Sequence, residues 1–427
     1  QTCALPIYHL MGILAELSLA GIMLTTGSLN TISKKVMYQT NGTNINGESE
    51  PYQKPWLCTF VMFCGESMCL LFFYLFALYY KLVPEKKDNQ DSMASISEVE
   101  GQPQQQEKKI VFVSREEVKS DPTGGLRWKF PFFVALFAGC DLLSTTLTGI
   151  GLVYCNASVV QILRGFVIVF TMISGRIFLG RVPKFFQVLG VIFAISGLVL
   201  VGVAAVLGDK GKSHKISDTF LGIGLVIVSQ CFSSIQFVFE EKLLKQNTHK
   251  TGPIPSLFLV GSEGIAGAIL SICVAIPITN AIHGSDHGSY ENMKNSFYMM
   301  FHNKRIFIFQ FIYFISIAFF NWSSFVYSKA LSATARTLVD ACRTIVVWIV
   351  MVILYYSIRS HQYGEGVSLF SIIQAVGFVL MLMGTTTHNN IGGFGEKITS
   401  CCKKPEDEVN NKPLIANETE EEDRKSV

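Results

Sequence analysis

Six charged residues stand inside long hydrophobic stretches of this sequence: Glu66, Asp141, Arg164, Glu263, Asp340 and Arg343. A charge at the centre of a membrane helix costs about 2.5–3.5 kcal/mol on insertion scales, so such residues face the bundle interior, a partner charge or water. Paired arginines can hold an anionic or carbonyl-bearing solute through forked hydrogen bonds. A buried glutamate can instead load and release a proton. These residue types predict a site for a polar or charged solute within the membrane.

The spacing around Arg343 predicts a charged helix face. Asp340 lies three residues before Arg343 and four after Arg336, so the three side chains can share one face. Asp340 is expected to neutralise an arginine. The structural alternative is that these charges form buried salt bridges that only fix helix register.

Polar residues of two other stretches are expected to complete the cavity. They are Ser28, Asn30, Ser229, Gln230, Ser233 and Gln236. The alternative for each is a hydrogen bond between helices.

Ten apolar stretches are expected to cross the membrane as helices, because about 20 residues span roughly 30 Å of hydrocarbon. Hydrophobic residues make up 49% of the 427 residues and charged residues 16%, far from the balance of a soluble domain. The predicted spans are 12–33, 56–80, 130–153, 158–179, 186–207, 219–240, 256–279, 306–328, 333–357 and 366–387. The first is too long for a signal peptide and lacks its basic front.

The second half of the chain repeats the pattern of the first. The glycine pattern Gln187-x2-Gly190-x6-Gly197 returns as Gln374-x2-Gly377-x6-Gly384. In the same order Glu66 corresponds to Glu263, Asp141 to Asn321, and Arg164 to Arg343. Five spans in each half force the two halves into opposite orientations. The sequence therefore predicts an all-α membrane protein of ten transmembrane helices, built as two inverted five-helix repeats.

This organisation divides the chain into segments. Residues 12–210 form the first repeat and residues 211–390 the second, with the solute site expected near the midplane where they meet. Residues 1–11 are an N-terminal edge that could be foreign sequence. The polar loop 81–129 and the tail 391–427 are predicted to be disordered and cytosolic.

Glycines on the predicted helices favour close packing. Gly190 and Gly197 lie near one helix face, as do Gly261, Gly264 and Gly267. Such faces permit near approach of two backbones, either in a mobile contact or in a static one.

The distribution of basic residues predicts that both termini are cytosolic. On that orientation the cytosolic segments hold 22 of the 35 Lys and Arg residues and the opposite loops hold 10. The sequon Asn41-Gly42-Thr43 then lies in the first non-cytosolic loop, where Asn41 is a predicted glycosylation site.

Several function classes lack support in the sequence. The net charge of +3 does not indicate a nucleic-acid partner, and the 11 cysteines show no metal or disulfide spacing. No catalytic motif is present, so no enzyme activity, cofactor or metal is expected. An intramembrane enzyme with paired carboxylates stays open as an alternative.

Several short segments carry a family resemblance. Phe178-Leu179-Gly180-Arg181 followed by the first glycine pattern resembles the drug/metabolite transporter superfamily, which implies ten helices in a five-plus-five inverted repeat. Closer similarity to the F-type subgroup of solute carrier family 35 rests on residues 26–31, 161–165, 240–242 and 331–336. The resemblance covers about residues 12–390. It implies a multispanning solute carrier of endomembranes, with the lysosomal membrane favoured, and it supplies no substrate.

The function predicted is a secondary transporter that moves a small polar or charged solute by alternating access. Its expected partners are that solute and the lipid bilayer, with a homodimer left open. The alternative is a non-transporting membrane adaptor that presents its cytosolic loop and tail to other proteins.

Overall fold

The structure is a computed structural model. It describes residues 4–83, 115–119, 121–123, 125–154, 160, 163–208, 216–245, 254–284, 286–357 and 370–402. Within these ranges the chain is helical except for one short hairpin, an isolated β-bridge between Asp286 and Ser289, and the turns between elements.

Fourteen α-helices follow one another along the described residues. They are α1 Ala4–Gln39, α2 Pro55–Leu82, α3 Arg115–Lys119, α4 Phe130–Tyr154, α5 Val167–Leu179, α6 Phe185–Gly208, α7 Ile216–Lys245, α8 Ser256–Leu270, α9 Ile276–Ala281, α10 Met293–His302, α11 Lys304–Ala330, α12 Ala333–Ser357, α13 Phe370–His388 and α14 Phe394–Cys402. A π-helical turn, Ser271–Ala275, joins α8 to α9 directly before Pro277, which cannot donate a backbone hydrogen bond.

Eight segments of the described chain are long and apolar enough to cross a membrane. They contain α2, α4, α6, α7, α8 with α9, α11, α12 and α13. The other two predicted spans coincide with α1 and with the shorter apolar helix α5. Gly180 ends α5 in the left-handed conformation, at the break predicted from sequence. The protein is therefore a multi-pass helical membrane protein.

The long helices pack in pairs that join the two halves of the chain. α1 contacts α11, α2 contacts α8, α4 contacts α7, α5 contacts α12, and α6 contacts α13. If the first span is exchanged for the sixth, the second for the seventh and so on, this set of pairs maps onto itself. Each half of the chain thus buries its helices largely against the other half.

The repeated glycines lie at two of these crossings. A Cβ atom on Gly190 would lie 2.7 Å from the carbonyl oxygen of Gly384. A Cβ atom on Gly264 would lie 2.4 Å from the backbone nitrogen of Ser67, in contact with Glu66. Only glycine permits backbones this close. The predicted close approach is confirmed in the structure at both crossings.

A two-stranded hairpin between α1 and α2 covers one end of the bundle. Strand β1, Asn41–Thr43, pairs antiparallel with β2, Ser49–Pro51. The amide nitrogen of Thr43 donates to Asn303 at the start of α11 over 3.0 Å. The hairpin therefore attaches the first half of the chain to the second outside the predicted spans.

Parts of the segments predicted to be disordered are helical. In loop 81–129 the helix α3 docks on the bundle, where Glu117 forms a 2.8 Å ion pair with Lys329. In the tail, α14 packs against α6 and α13. Residues 84–114, 120 and 124 of the loop and residues 403–427 of the tail lie outside the described residues.

Candidate functional site

Four carboxylates from four helices lie close enough to act on one another. We call Glu66, Asp141, Glu240 and Glu263 the acidic cluster. Glu66, Glu240 and Glu263 expose 4%, 0% and 4% of their surface, whereas Asp141 is half-buried. The crossing of α2 and α8 at Gly264 sets the position of Glu66, because the backbones touch there.

One arginine enters the acidic cluster. The guanidinium Nη1 of Arg336 on α12 donates to Oε2 of Glu240 over 2.7 Å, and both side chains are buried. The guanidinium carbon also lies 4.3 Å from the centroid of the Phe237 ring. This combination of a charge-assisted hydrogen bond and a cation–π contact holds the arginine in one orientation.

Two amide side chains hydrogen-bond to the acidic cluster. Nε2 of Gln236 donates to Oε1 of Glu263 over 2.8 Å. Asn321 on α11 donates through Nδ2 to Glu66. The structure thus brings the predicted residues Glu66, Asp141, Glu263 and Asn321 to one place, and Gln236 with them.

Arg343 and Asp340 belong to a second, basic group. Nη2 of Arg343 donates to Oδ2 of Asp340 over 3.3 Å. Arg164 on the connection before α5 is exposed, and both Arg343 and Asp340 act on its charge. Asp340 was predicted to neutralise an arginine, and in the structure its partner is Arg343. Arg336, expected on the same face, pairs with Glu240 instead.

Asn30 and Gln230 form hydrogen bonds with nearby residues. Asn30 accepts a hydrogen bond from the Ser316 hydroxyl, which joins α1 to α11. Gln230 donates to the Ser229 hydroxyl over 2.7 Å. Ser229 in turn lies 2.8 Å from the Thr148 hydroxyl, between α7 and α4. These contacts match the alternative of packing hydrogen bonds that the sequence left open.

Glu240 is absent from the site predicted by sequence. The predicted span 219–240 ends at this residue, whereas α7 continues to Lys245 and carries Glu240 into the bundle. The available signal was the spacing of four residues from Gln236, which places both side chains on one helix face.

A separate charged group lies beside the hairpin, outside the spans. Nζ of Lys54 is 2.6 Å from Oδ2 of Asp286 and 3.4 Å from Oε1 of Glu50. Ligand atoms of Glu50, Asp286 and His287 all lie within 4.8 Å of one another, as metal ligands would. Because the ammonium of Lys54 pairs with both Glu50 and Asp286, this group forms an ion-pair network that holds the hairpin.

Three carboxylates of this region have shifted pKa values, and hydrogen bonds from Asn295 and Asn44 outweigh burial and lower the pKa of Glu50. Burial raises the pKa of Glu291 to about 7, although the backbone amides of Trp56 and Leu57 donate to it at 2.9 Å each. At Asp286 burial opposes ionisation, but hydrogen bonds from Lys54, Asn292 and Asn295 hold its pKa below the ordinary value. Glu291 therefore titrates near neutral pH at the N-terminus of α2.

The bundle thus contains two charged groups of opposite sign. The acidic cluster can accept hydrogen bonds, bind cations or exchange protons, and the basic group can bind anionic or carbonyl oxygens. Neither arrangement pairs a nucleophile with a base.

Comparison with known proteins identifies relatives over most of the chain. Residues 110–203 match the EamA-like transporter family. Solute carrier family 35 member F6 of Homo sapiens is 32% identical over 385 residues, which cover 88% of this chain and 89% of the relative. The protein of the same name from Mus musculus has the same identity and coverage. An uncharacterized protein of Schizosaccharomyces pombe is 29% identical over 62% of this chain and 76% of its own length.

Proposed function

This chain belongs to solute carrier family 35, and from that premise we propose that it is a secondary transporter that moves a small polar or charged solute by alternating access. Membership of this family points to transport and not to enzyme catalysis, and it does not favour the adaptor alternative. Family membership supports transport in general, whereas the class of solute, the path through the bundle and the alternating-access cycle are proposed here.

The observation that carries the proposal is the charged site between the two halves of the chain. Glu66 and Asp141 come from the first half, whereas Glu240, Glu263 and Arg336 come from the second. Ionisable groups at membrane depth are costly and mark solute or ion pathways. A site shared by two halves changes its exposure when one half rocks against the other.

The packing of the long helices supports an inverted repeat of ten transmembrane helices. The interhelical pairs keep their pattern when the halves are exchanged, and the glycine crossings at α2–α8 and α6–α13 each join a span to its own counterpart in the other half. Small residues let packed helices approach closely in membranes. In the proposal, α1 and α5 complete the ten spans.

The proposal also includes the cellular setting. Both termini lie in the cytosol, the hairpin with Asn41 faces the lumen of an endomembrane compartment, and the lysosome is the favoured compartment. Asn41 is exposed on β1, which supports its use as a glycan acceptor. Glu291 lies on the same side as the hairpin, and its pKa of about 7 places its titration in the range of an acidifying lumen.

The test is solute counterflow with the purified full chain in proteoliposomes. The panel consists of nucleotide sugars, nucleotides, amino acids and organic cations, each at two pH values. We expect accelerated exchange for one chemical class. If folded, correctly inserted protein exchanges none of these solutes, the result contradicts transport and favours the adaptor alternative.

A further inference from the structure

A cleft of about 550 Å³ lies between α2 and α11, and none of the charged residues described above lines it. The side chains that line it come from α2, α8 and α11 and present an apolar surface to it. Its floor is buried and its rim is exposed. The floor consists of Cys69, Leu257, Ala318 and Trp322, and the rim consists of Phe72 and Phe319. Clefts of about 300–1,000 Å³ are large enough to hold a ligand.

The cleft opens toward the bilayer. The rim residues Phe72 and Phe319 expose 38% and 39% of their surface. Leu71 and Phe311, on the same two helices, are exposed as well. Both helices lie in segments that are long and apolar enough to cross a membrane, where exposed apolar side chains face hydrocarbon. The molecules that reach this cleft from outside the bundle are therefore lipids.

Hydrocarbon is the occupant that the lining can accept. An apolar cavity offers no hydrogen bonds to water, and cavities of this kind stay dry and bind apolar molecules. If the cleft stays empty, its lining side chains lose dispersion contacts on one side. A flexible acyl chain can follow the groove between two helices and restore those contacts.

Two positively charged side chains lie at one end of the cleft. On α2, Val83 follows the lining residue Phe76 by seven residues and so lies about 10 Å further along the same helix face. On α11, Lys329 follows Trp322 by the same interval. Arg115 reaches this end from α3, where its Nη2 donates to the Val83 carbonyl oxygen over 3.1 Å. An apolar cleft thus ends at a positively charged mouth.

Arg115 is held at this mouth by its neighbours. Val118 of the same helix packs against the hydrophobic cluster that supplies the floor of the cleft. Lys329 pairs with Glu117 at 2.8 Å, whereas the guanidinium carbon of Arg115 lies 5.1 Å from the centroid of the Tyr80 ring. Among the residues that the structure describes, no carboxylate forms an ion pair with Arg115. Guanidinium groups bind phosphate through forked hydrogen bonds, and basic pockets between membrane helices bind lipid head groups.

We propose that this cleft binds one acyl chain of a phospholipid whose phosphate group contacts Arg115. The hydrocarbon lies against Phe72, Phe319 and Trp322, and the phosphate lies where α2 and α11 end. A sterol fits this arrangement less well, because it carries a hydroxyl group in place of the phosphate. The inference goes beyond the proposed function, since a lipid bound here neither enters the charged site nor requires a transported solute.

The test is capture of lipid by the full chain in phosphatidylcholine vesicles. The vesicles contain a trace of photoreactive phosphatidic acid, of diacylglycerol with the same photoreactive chain, or of photoreactive cholesterol. After illumination, mass spectrometry of proteolytic peptides locates the adducts. We expect adducts of phosphatidic acid on the peptides that contain Phe72 and Phe319, and unlabelled phosphatidic acid should compete with them. Diacylglycerol should label the same peptides more weakly, because it lacks the phosphate.

A variant that fills the cleft assigns these adducts to it. Ala318→Phe places a ring where the acyl chain lies, and the lost burial of two or more methylene groups corresponds to about tenfold fewer adducts. Ala135→Phe, at an exposed position of α4, is the matched control and should label normally. Thermal unfolding in detergent reports that both variants are folded. Undiminished adducts in folded Ala318→Phe would overturn the proposal.

A second variant tests the head-group contact without altering the cleft. Arg115→Gln should remove the preference for phosphatidic acid over diacylglycerol, whereas Lys81→Gln, an exposed charge at the end of α2, should keep it. Equal loss of the preference in both variants would reduce the contact to general surface charge and contradict the role of Arg115.

The remaining outcomes also decide the proposal. Stronger labelling of the two peptides by cholesterol than by phosphatidic acid would overturn it in favour of a sterol site. If no lipid labels either peptide and Phe319→Cys chains form a disulfide with each other, the cleft is covered by a second copy of the chain. Solute counterflow is measured separately, so a failure of transport leaves the lipid site standing, and the absence of lipid adducts leaves transport standing.

Discussion

Gly197 and Gly377 lie backbone to backbone where α6 crosses α13. A Cβ atom on Gly197 would come within 2.4 Å of the carbonyl oxygen of Gly377. Gly197 is the second glycine of the first copy of the repeated pattern and Gly377 is the first glycine of the second copy, while Gly190 meets Gly384 in the reverse order. The duplication therefore supplies both surfaces of a single helix crossing.

Gly197→Ala should destabilise the protein through this crossing. The added methyl group meets backbone atoms, which cannot rotate away, so we expect a loss of about 1–3 kcal/mol in unfolding free energy. The measurement is thermal unfolding in detergent. Gly175→Ala is the matched control, because nothing lies within 4 Å of a Cβ atom at that position. Equal melting temperatures for the two variants would contradict the crossing.

Arg336→Met should destabilise the protein more than removal of a surface arginine. Loss of the guanidinium leaves Glu240 buried without its partner, and breaking a buried pair costs about 3–5 kcal/mol. Unfolding in detergent checks the change, with Arg305→Met, an exposed residue of α11, as the control. The double variant Arg336→Met with Glu240→Leu should recover part of the loss. No recovery would show that the pair is not what stabilises this region.

Arg343→Ala should abolish uptake in proteoliposomes while the protein stays folded. The pair with Asp340 is partly exposed, at 18% and 34%, so its contribution to folding is about 1 kcal/mol or less. Arg343→Lys should restore charge but not the forked geometry, and should recover uptake only in part. Normal uptake by a folded Arg343→Ala protein would remove this residue from the solute path.

The stability of the hairpin end should depend on Glu291. Its pKa is raised by burial to about 7, so its contribution to stability is present below the ordinary glutamate pKa and is lost as pH rises through about 7. The melting temperature of the unmodified protein should fall between about pH 5 and pH 8, and Glu291→Gln should flatten that part of the curve. Glu48→Gln, exposed on the hairpin, should leave the curve unchanged. Parallel curves for the unmodified protein and Glu291→Gln would rule out this residue as the cause.

Asn41→Gln should remove a glycan from the protein made in eukaryotic cells. The sequon lies on the exposed strand β1, which the proposed orientation places in the lumen. Digestion with a glycosidase followed by gel electrophoresis measures the mass shift, and Asn46→Gln on the same hairpin is the control because it disrupts no sequon. The proposed orientation is wrong if the native chain carries no glycan and a glycosylation reporter fused to its C-terminus does carry one.

The sequence was sufficient for the properties that depend on local patterns. Apolar length identified the membrane segments, and the spacing of glycines identified the faces on which α6, α8 and α13 make their closest contacts. The family followed from short motifs and is shown by the relatives. Lipid solvation acts on each segment separately, so hydropathy and small-residue spacing can be evaluated without knowledge of the partners.

Only the tertiary structure decided which charges meet. Arg336 and Asp340 share a helix, but the orientation of α12 against α7 places Arg336 in an ion pair with Glu240. Asp340 pairs with Arg343 on its own helix. The docking of α3 through Glu117 and Lys329 likewise depends on residues far apart in the chain. Helix rotation and crossing are set by the packing of the whole bundle, and a pattern within one helix carries no information about the side chain that another helix presents to it.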